Sequence, residues 1–276
     1  MNHYIQVSDL VIQSGANSLV KGISFTAEKG RVTGLIGESG SGKSLTCQSI
    51  LGMLPQNLSA TGNVTIAGTA MPMGSSSACR KARGKNVSMV MQNPISCFDP
   101  VFNIGSHFKE TLSAHEVPKA ENTPAKWCQA LTEVGFDTPE EIVTLYPFQM
   151  SGGMLQRVMI AISLVLEADF LLADEATTDL DAISQARVLK LLESLVRQRN
   201  MGALLVTHDL SVIARLADHV LVMKKGVIVD RGSVDSIFHS PQHEYTVALL
   251  KAHYRLHGIE APPHRGHNTN RQTFSP

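Results

Sequence analysis

The apolar positions of this chain change period several times, and each change predicts an element. Residues 5–11 alternate apolar and polar side chains and predict a strand. Residues 32–36 are a short apolar run closed by Gly37, the mark of a buried strand. Residues 43–51 read as a helix that stops at Gly52, with Pro55 just beyond. Residues 63–66 and 87–91 predict two more short strands. From 93 to 149 the character changes. Pro94, Pro100, Pro118, Pro124, Pro139 and Pro147 punctuate helix-like pieces such as 125–134, which predicts a helical insertion. Beyond it come a helix (153–166), a strand (170–173), a helix (182–197), a strand (203–206) and a helix (210–216). Residues 220–223 and 227–229 predict a hairpin around Lys225-Gly226. Strands alternating with helices predict an α/β layer fold with a parallel sheet. Past residue 258 the chain is rich in Pro, His and Asn and is expected to be disordered.

Composition narrows the function classes. Hydrophobic residues are 43% and charged residues 17% of 276, which excludes a wholly disordered chain and a coiled coil. The 24 Lys and Arg balance 24 Asp and Glu, so the basic excess of a nucleic-acid binder is missing, and no nucleic-acid partner is expected. Cys47, Cys79, Cys97 and Cys128 have no C-x-x-C spacing and read as scattered reduced thiols. The first residues lack a signal pattern, and the longest apolar stretch, 158–166, is far short of the ~18 residues of a membrane span. A membrane role is therefore expected to come through a partner.

Chemistry first becomes specific at Gly37-Glu38-Ser39-Gly40-Ser41-Gly42-Lys43-Ser44, which fits G-x-x-x-x-G-K-[ST]. The glycines let backbone N–H groups turn inward around phosphate oxygens, and the following helix adds its positive end. Lys43 is placed for the β- and γ-phosphates of a nucleotide, and the Ser44 hydroxyl for Mg²⁺. A second cluster closes the apolar run 170–173 with Asp174 and Glu175. Alone it is an ordinary strand exit. Behind a phosphate loop, Asp174 becomes a second Mg²⁺ contact and Glu175 is placed to polarise an attacking water.

Further motifs stand in a fixed order. Ser151-Gly152-Gly153 precedes a helix carrying Gln156-Arg157. Gln92 ends a strand. Asp181 closes Thr177-Thr178-Asp179-Leu180-Asp181, and His208 lies in Thr207-His208-Asp209. With the phosphate loop and the acid pair, this set resembles the ATP-binding-cassette (ABC) ATPases over about residues 5–255. The resemblance implies ATP and Mg²⁺ as ligands. Gly37, Glu38, Ser39, Gly40, Ser41, Gly42, Lys43, Ser44 and Gln92 would bind ATP; Ser44, Gln92 and Asp174 would hold Mg²⁺. Glu175, His208 and Lys43 would be catalytic. Ser151, Gly152 and Gly153 would be the signature that touches the ATP of a partner cassette, and Asp181 the D-loop residue.

The fold it implies is a P-loop NTPase of the RecA-like ABC type, with an N-terminal antiparallel β subdomain and a helical subdomain inserted after Gln92. On that division residues 1–92 and 155–257 form the ATP-binding core with its β subdomain. Residues 93–154 form the helical subdomain with the signature, and 258–276 a tail. Three positions depart from the family pattern. Met150 and Met154 replace the usual Leu and Gln of the signature. Ala176 stands where proline is usual and is expected to loosen the loop after Glu175. The adenine-stacking aromatic is missing from Val11-Ile12-Gln13-Ser14, so Ile12 or Gln13 is expected to give an apolar or polar contact instead.

The segments Met91-Gln92-Asn93-Pro94, Phe98-Asp99-Pro100 and Ser240-Pro241-Gln242-His243-Glu244-Tyr245-Thr246 resemble the peptide and nickel importer branch of the family. Residues 145–157 are most similar to its nickel-import ATPases. The resemblance implies a peripheral subunit on the cytoplasmic face of the inner membrane. Its partners would be a second ATPase in a heterodimer and two transmembrane permease subunits, with a periplasmic solute-binding protein reached indirectly. Import of peptides or of metal–chelator complexes is the alternative. His253, His257, His264 and His267 near the C-terminus are read as a solvated tail rather than a metal site.

Overall fold

The structure, a computed structural model, describes residues 4–73, 77–178, 180–256 and 258. The chain opens with the hairpin β1 (Tyr4–Ser14) and β2 (Asn17–Glu28), followed by β3 (Val32–Ile36) and α1 (Lys43–Ile50). Next come β4 (Ser59–Ile66), β5 (Thr69–Met71), α2 (Ser77–Ala82) and β6 (Val87–Val90). A helical stretch holds α3 (Ile104–Ala114), α4 (Pro124–Glu133), α5 (Pro139–Ile142) and α6 (Gly152–Val165). Then β7 (Phe170–Asp174), α7 (Ala182–Arg199), β8 (Gly202–Val206) and α8 (Leu210–Leu216) alternate. The hairpin β9 (His219–Lys224) and β10 (Val227–Ser233) leads to α9 (Val234–His239) and α10 (Glu244–Leu256).

Two sheets result. One is antiparallel, in the order β2-β1-β4-β5. The other runs β10-β9-β3-β8-β7-β6, parallel from β9 to β6, with β10 antiparallel at its edge. Strands β3, β7 and β8 are buried along their whole length, because each face of the parallel sheet has its own cover. Leu171, Ala173, Leu205 and Val222 enter the core shared with α3, α4, α6, α7 and α8. Their neighbours Leu172, Leu204, Val206 and Leu221 enter the core shared with the antiparallel sheet and α1. Gly34 allows α8 to lie close to β3: a Cβ there would fall 2.7 Å from Ile213 Cδ1.

Every predicted strand and helix has its counterpart, and α8 spans the predicted 210–216. Several elements had no clear signal, β2 above all. Its buried residues Val20, Ile23, Phe25 and Ala27 break the period of two between Val20 and Ile23. There the pairing with β1 slips, and Gly22 sits in the slip with φ 77°.

Candidate nucleotide site

Three adjacent parallel strands, β3, β8 and β7, bring the candidate residues to one edge of the sheet. The phosphate loop leaves β3. Gly37 (φ 151°), Gly40 (φ 76°) and Gly42 (φ 106°) adopt backbone angles that favour glycine. At Gly37 a Cβ would also fall 2.1 Å from the Met223 carbonyl oxygen, so no side chain fits. Helix α1 then starts without a side-chain cap and without an acid in its first turn, which leaves its positive end uncompensated. Lys43 is buried, and its Nζ donates to the carbonyls of Gly37 (2.8 Å) and Glu38 (2.9 Å). Burial pushes its pKa down, opposed by the carboxylates of Glu175, Asp174 and Glu38. Ser41 is buried too, and its Oγ has no hydrogen-bond partner among the described residues.

The acid pair meets this loop. Ser44 Oγ donates to Asp174 Oδ1 at 3.0 Å. Burial raises the pKa of Asp174; the Ser44 hydrogen bond lowers it, Glu175 raises it and Lys43 lowers it. Glu175 takes a left-handed backbone (φ 47°), unusual for a residue with a side chain. Its N–H donates to the Val206 carbonyl at 2.8 Å. One carboxylate oxygen lies 3.4 Å from His208 Nδ1, and the other accepts from Thr178 Oγ1 at 3.3 Å. The loop with Ala176 is held by turns, Thr178 N–H to Glu175 O and Leu180 N–H to Thr177 O, and Ala176 is buried.

A cleft of about 280 Å³ brings Ser39, Gly40, Lys43, Ser44, Gln92 and Glu175 to one space. Leu19, in β2, forms part of its wall. The contact expected from Ile12 is corrected: Ile12 is fully buried in the core, because it alternates inward along β1. Gln13 is exposed. Leu19 was missed because β2 itself had no clean alternation.

The signature residues do not line this cleft. Ser151 is exposed and caps α6, its Oγ accepting the Met154 N–H at 3.3 Å. Gly153 is buried; a Cβ there would fall 2.8 Å from Ser184 Cβ, so glycine sets the approach of α6 to α7. Asp181 caps α7 by accepting the N–H groups of Ile183 and Ser184, and the hydrogen bonds from Ser184 foremost hold its pKa down. Gln156 is buried in α6, and its Nε2 donates to Met91 O at 3.1 Å. The signature helix thus grips the residue before Gln92. Among the described residues no three His, Cys, Asp or Glu side chains are grouped to hold a metal. His253 lies in α10; His257, His264, His267 and the disorder expected past 258 fall outside the described residues.

Residues 20–178 match the family described as ABC transporter, more than half of the chain. The chain belongs to that family, as an ATPase cassette. It is similar to the nickel import ATP-binding protein NikD of Rhodospirillum rubrum, 45% identical over 94% of this chain and 98% of that protein. NikD of Brucella abortus is also 45% identical, over 91% of this chain and 93% of that one. The metal-staphylopine import ATP-binding protein CntD of Staphylococcus aureus is 39% identical, over 86% and 88%. Among solved structures, CbiO1 of Clostridium perfringens, part of the transporter complex CbiONQ, superposes with TM-score 0.74 at 24% identity, over 94% of this cassette and 100% of that chain. The dimeric bacterial cassette MJ0796 follows at 0.72 and 23% identity, over 83% and 98%. Both share the fold of this cassette. ATP is the ligand of the family. No described helix is long and apolar enough to cross a membrane.

Proposed function

We propose that this chain hydrolyses ATP to energise nickel-ion uptake through a membrane permease. The observation that carries the solute is the 45% identity to nickel-import ATP-binding proteins over nearly the full length of both chains. The site carries the chemistry. Lys43 binds the β- and γ-phosphates, exchanging its two carbonyl partners for phosphate oxygens. The amides of residues 37–44 cradle the same oxygens. Glu175 orients a water and accepts its proton as the water oxygen attacks the γ-phosphorus and ADP leaves. His208, beside Glu175, holds that water and the γ-phosphate. Ser151, Gly152 and Gly153 serve the ATP of a second cassette, and Asp181 lines the same junction.

Ser44, Asp174 and Gln92 fit Mg²⁺. A hydroxyl and a carboxylate already 3.0 Å apart form a hard oxygen pair. The burial that makes an ionised Asp174 unfavourable is relieved by a divalent cation beside it. When bound, Mg²⁺ neutralises phosphate charge. The division into a core (1–92 and 155–257) and a helical part (93–154) assigns the permease contact to the helical part. The cassette then sits peripherally on the cytoplasmic face of the inner membrane. Its partners are two permease subunits, a second ATPase in a heterodimer and, indirectly, a periplasmic solute-binding protein.

A second reading, import of a metal–chelator complex, rests on the 39% identity to the metal-staphylopine protein. Uptake of radiolabelled Ni²⁺, a labelled metal–chelator complex and a labelled dipeptide in cells lacking this chain separates these. Loss of free Ni²⁺ uptake, restored by wild type and not by Lys43→Ala, is expected. Loss confined to the chelate or the dipeptide overturns nickel as the solute.

A further inference from the structure

The C-terminal segment, singled out in sequence only by its resemblance, reaches back to the phosphate loop. Tyr245, in the first turn of α10, is buried, and its hydroxyl accepts the backbone N–H of Glu38 at 3.0 Å. Glu38 is one of the two residues whose carbonyls receive Lys43. The Gly37–Glu38 peptide is thus fixed at its N–H by Tyr245 and at its C=O, the Gly37 carbonyl, by the catalytic lysine. The ring is fixed as well, with Lys224 Nζ 4.6 Å from its centroid. Burial pushes the pKa of the phenol up, and its oxygen accepts the N–H.

The entry to α10 is built to hold this position. Asp230, a buried carboxylate on β10, accepts the N–H groups of both Gln242 and His243 at 3.0 Å with one oxygen. His243 Nδ1 in turn accepts the Tyr245 N–H at 3.0 Å. A buried charge that takes two amides from one turn fixes that turn firmly, since leaving either side unpaired is unfavourable.

We propose that Tyr245 is a positioning residue for ATP binding: it holds the Glu38 peptide so that the phosphate loop is set for nucleotide, with Asp230 as its anchor. The proposal deepens the ATPase reading and rests on it. Tyr245 touches no phosphate in this scheme; it acts through the Glu38 backbone.

Titration of the full-length protein with a fluorescent ATP analogue, alongside steady-state hydrolysis, tests it. Tyr245→Phe keeps the ring and removes the acceptor. Its dissociation constant and KM for ATP are expected to rise about three- to tenfold, the range of one hydrogen bond, with kcat within about twofold of wild type. Asp230→Ala is expected to weaken binding in the same way. The double variant is expected to be no weaker than the worse single one, because both act through one peptide. Unchanged affinity in a Tyr245→Phe protein with wild-type thermal unfolding overturns the inference. So does strict additivity of the two substitutions. Lys43→Ala separates the layers. If it loses nucleotide while Tyr245→Phe does not, only the Tyr245 role falls. If it binds like wild type, the phosphate-loop reading itself falls.

Discussion

The phosphate loop and the signature turn are both glycine-rich entries to helices, yet the chain treats them differently. Around the loop the charged groups and Ser44 are answered internally: Lys43 by two carbonyls, Ser44 by Asp174, Glu175 by His208 and Thr178. Around the signature the inner side alone is answered. Gly153 packs on Ser184, while Ser151 is exposed and spends its oxygen on its own helix. Nearby, Ile183 presents a 67% exposed apolar side chain beside the Asp181 cap. The first region is closed on itself and the second faces outward. On the proposed function they are two unlike halves, and a second cassette would complete each site.

The sharpest way to break this contrast is Glu175→Gln. It removes the proton acceptor and leaves the loop intact, so hydrolysis is expected to fall about 100-fold or more while ATP binding persists. ATP should then trap a closed pair of cassettes, seen by size-exclusion chromatography; undiminished turnover would falsify the role of Glu175. A smaller effect tests the outward half. Ser151→Arg is expected to lower hydrolysis about tenfold or more, yet leave the ATP affinity of the single chain within about twofold, by fluorescence titration. Weakened binding in the single chain would mean that the signature serves its own loop.

The smallest effect concerns what the first half does to stability. Burial raises the folded pKa of Asp174 above its unfolded value of 3.8. The folded chain therefore binds more protons in that window, and stability from this group falls as pH rises from about 3.8 through the raised pKa. Asp174→Asn removes the ionised form. Without nucleotide, at neutral pH, it should raise Tm. The gain should vanish below about pH 4, which calorimetry across pH would check.

The same contrast explains what was legible. Motifs that bind phosphate are local, because one strand exit and one helix entry make the cradle; Gly37 to Ser44 could be read without any partner in space. The parallel strands were legible as apolar runs because both of their faces are covered. β2 was not, since its slip at Gly22 erases the alternation. Leu19 was lost with β2, the strand that carries it. The contact of Tyr245 was invisible for a different reason: it reaches Glu38 across 207 residues of chain, and nothing in the local spacing reports such a meeting. The burial of Ile12 follows from the pleat of β1, a matter of register rather than composition.

The order β3-β8-β7 gives the site a ruler. Phosphate loop, His208 and acid pair issue from three neighbouring strands, and neighbouring strands lie about 4.8 Å apart wherever their ladders are intact. The spacing of the groups is therefore a property of peptide hydrogen bonding, shared by any sequence that pairs this way. Core side chains above and below the sheet can drift in size over generations and change how firmly the protein holds together. The gauge between its working parts stays where the backbone put it.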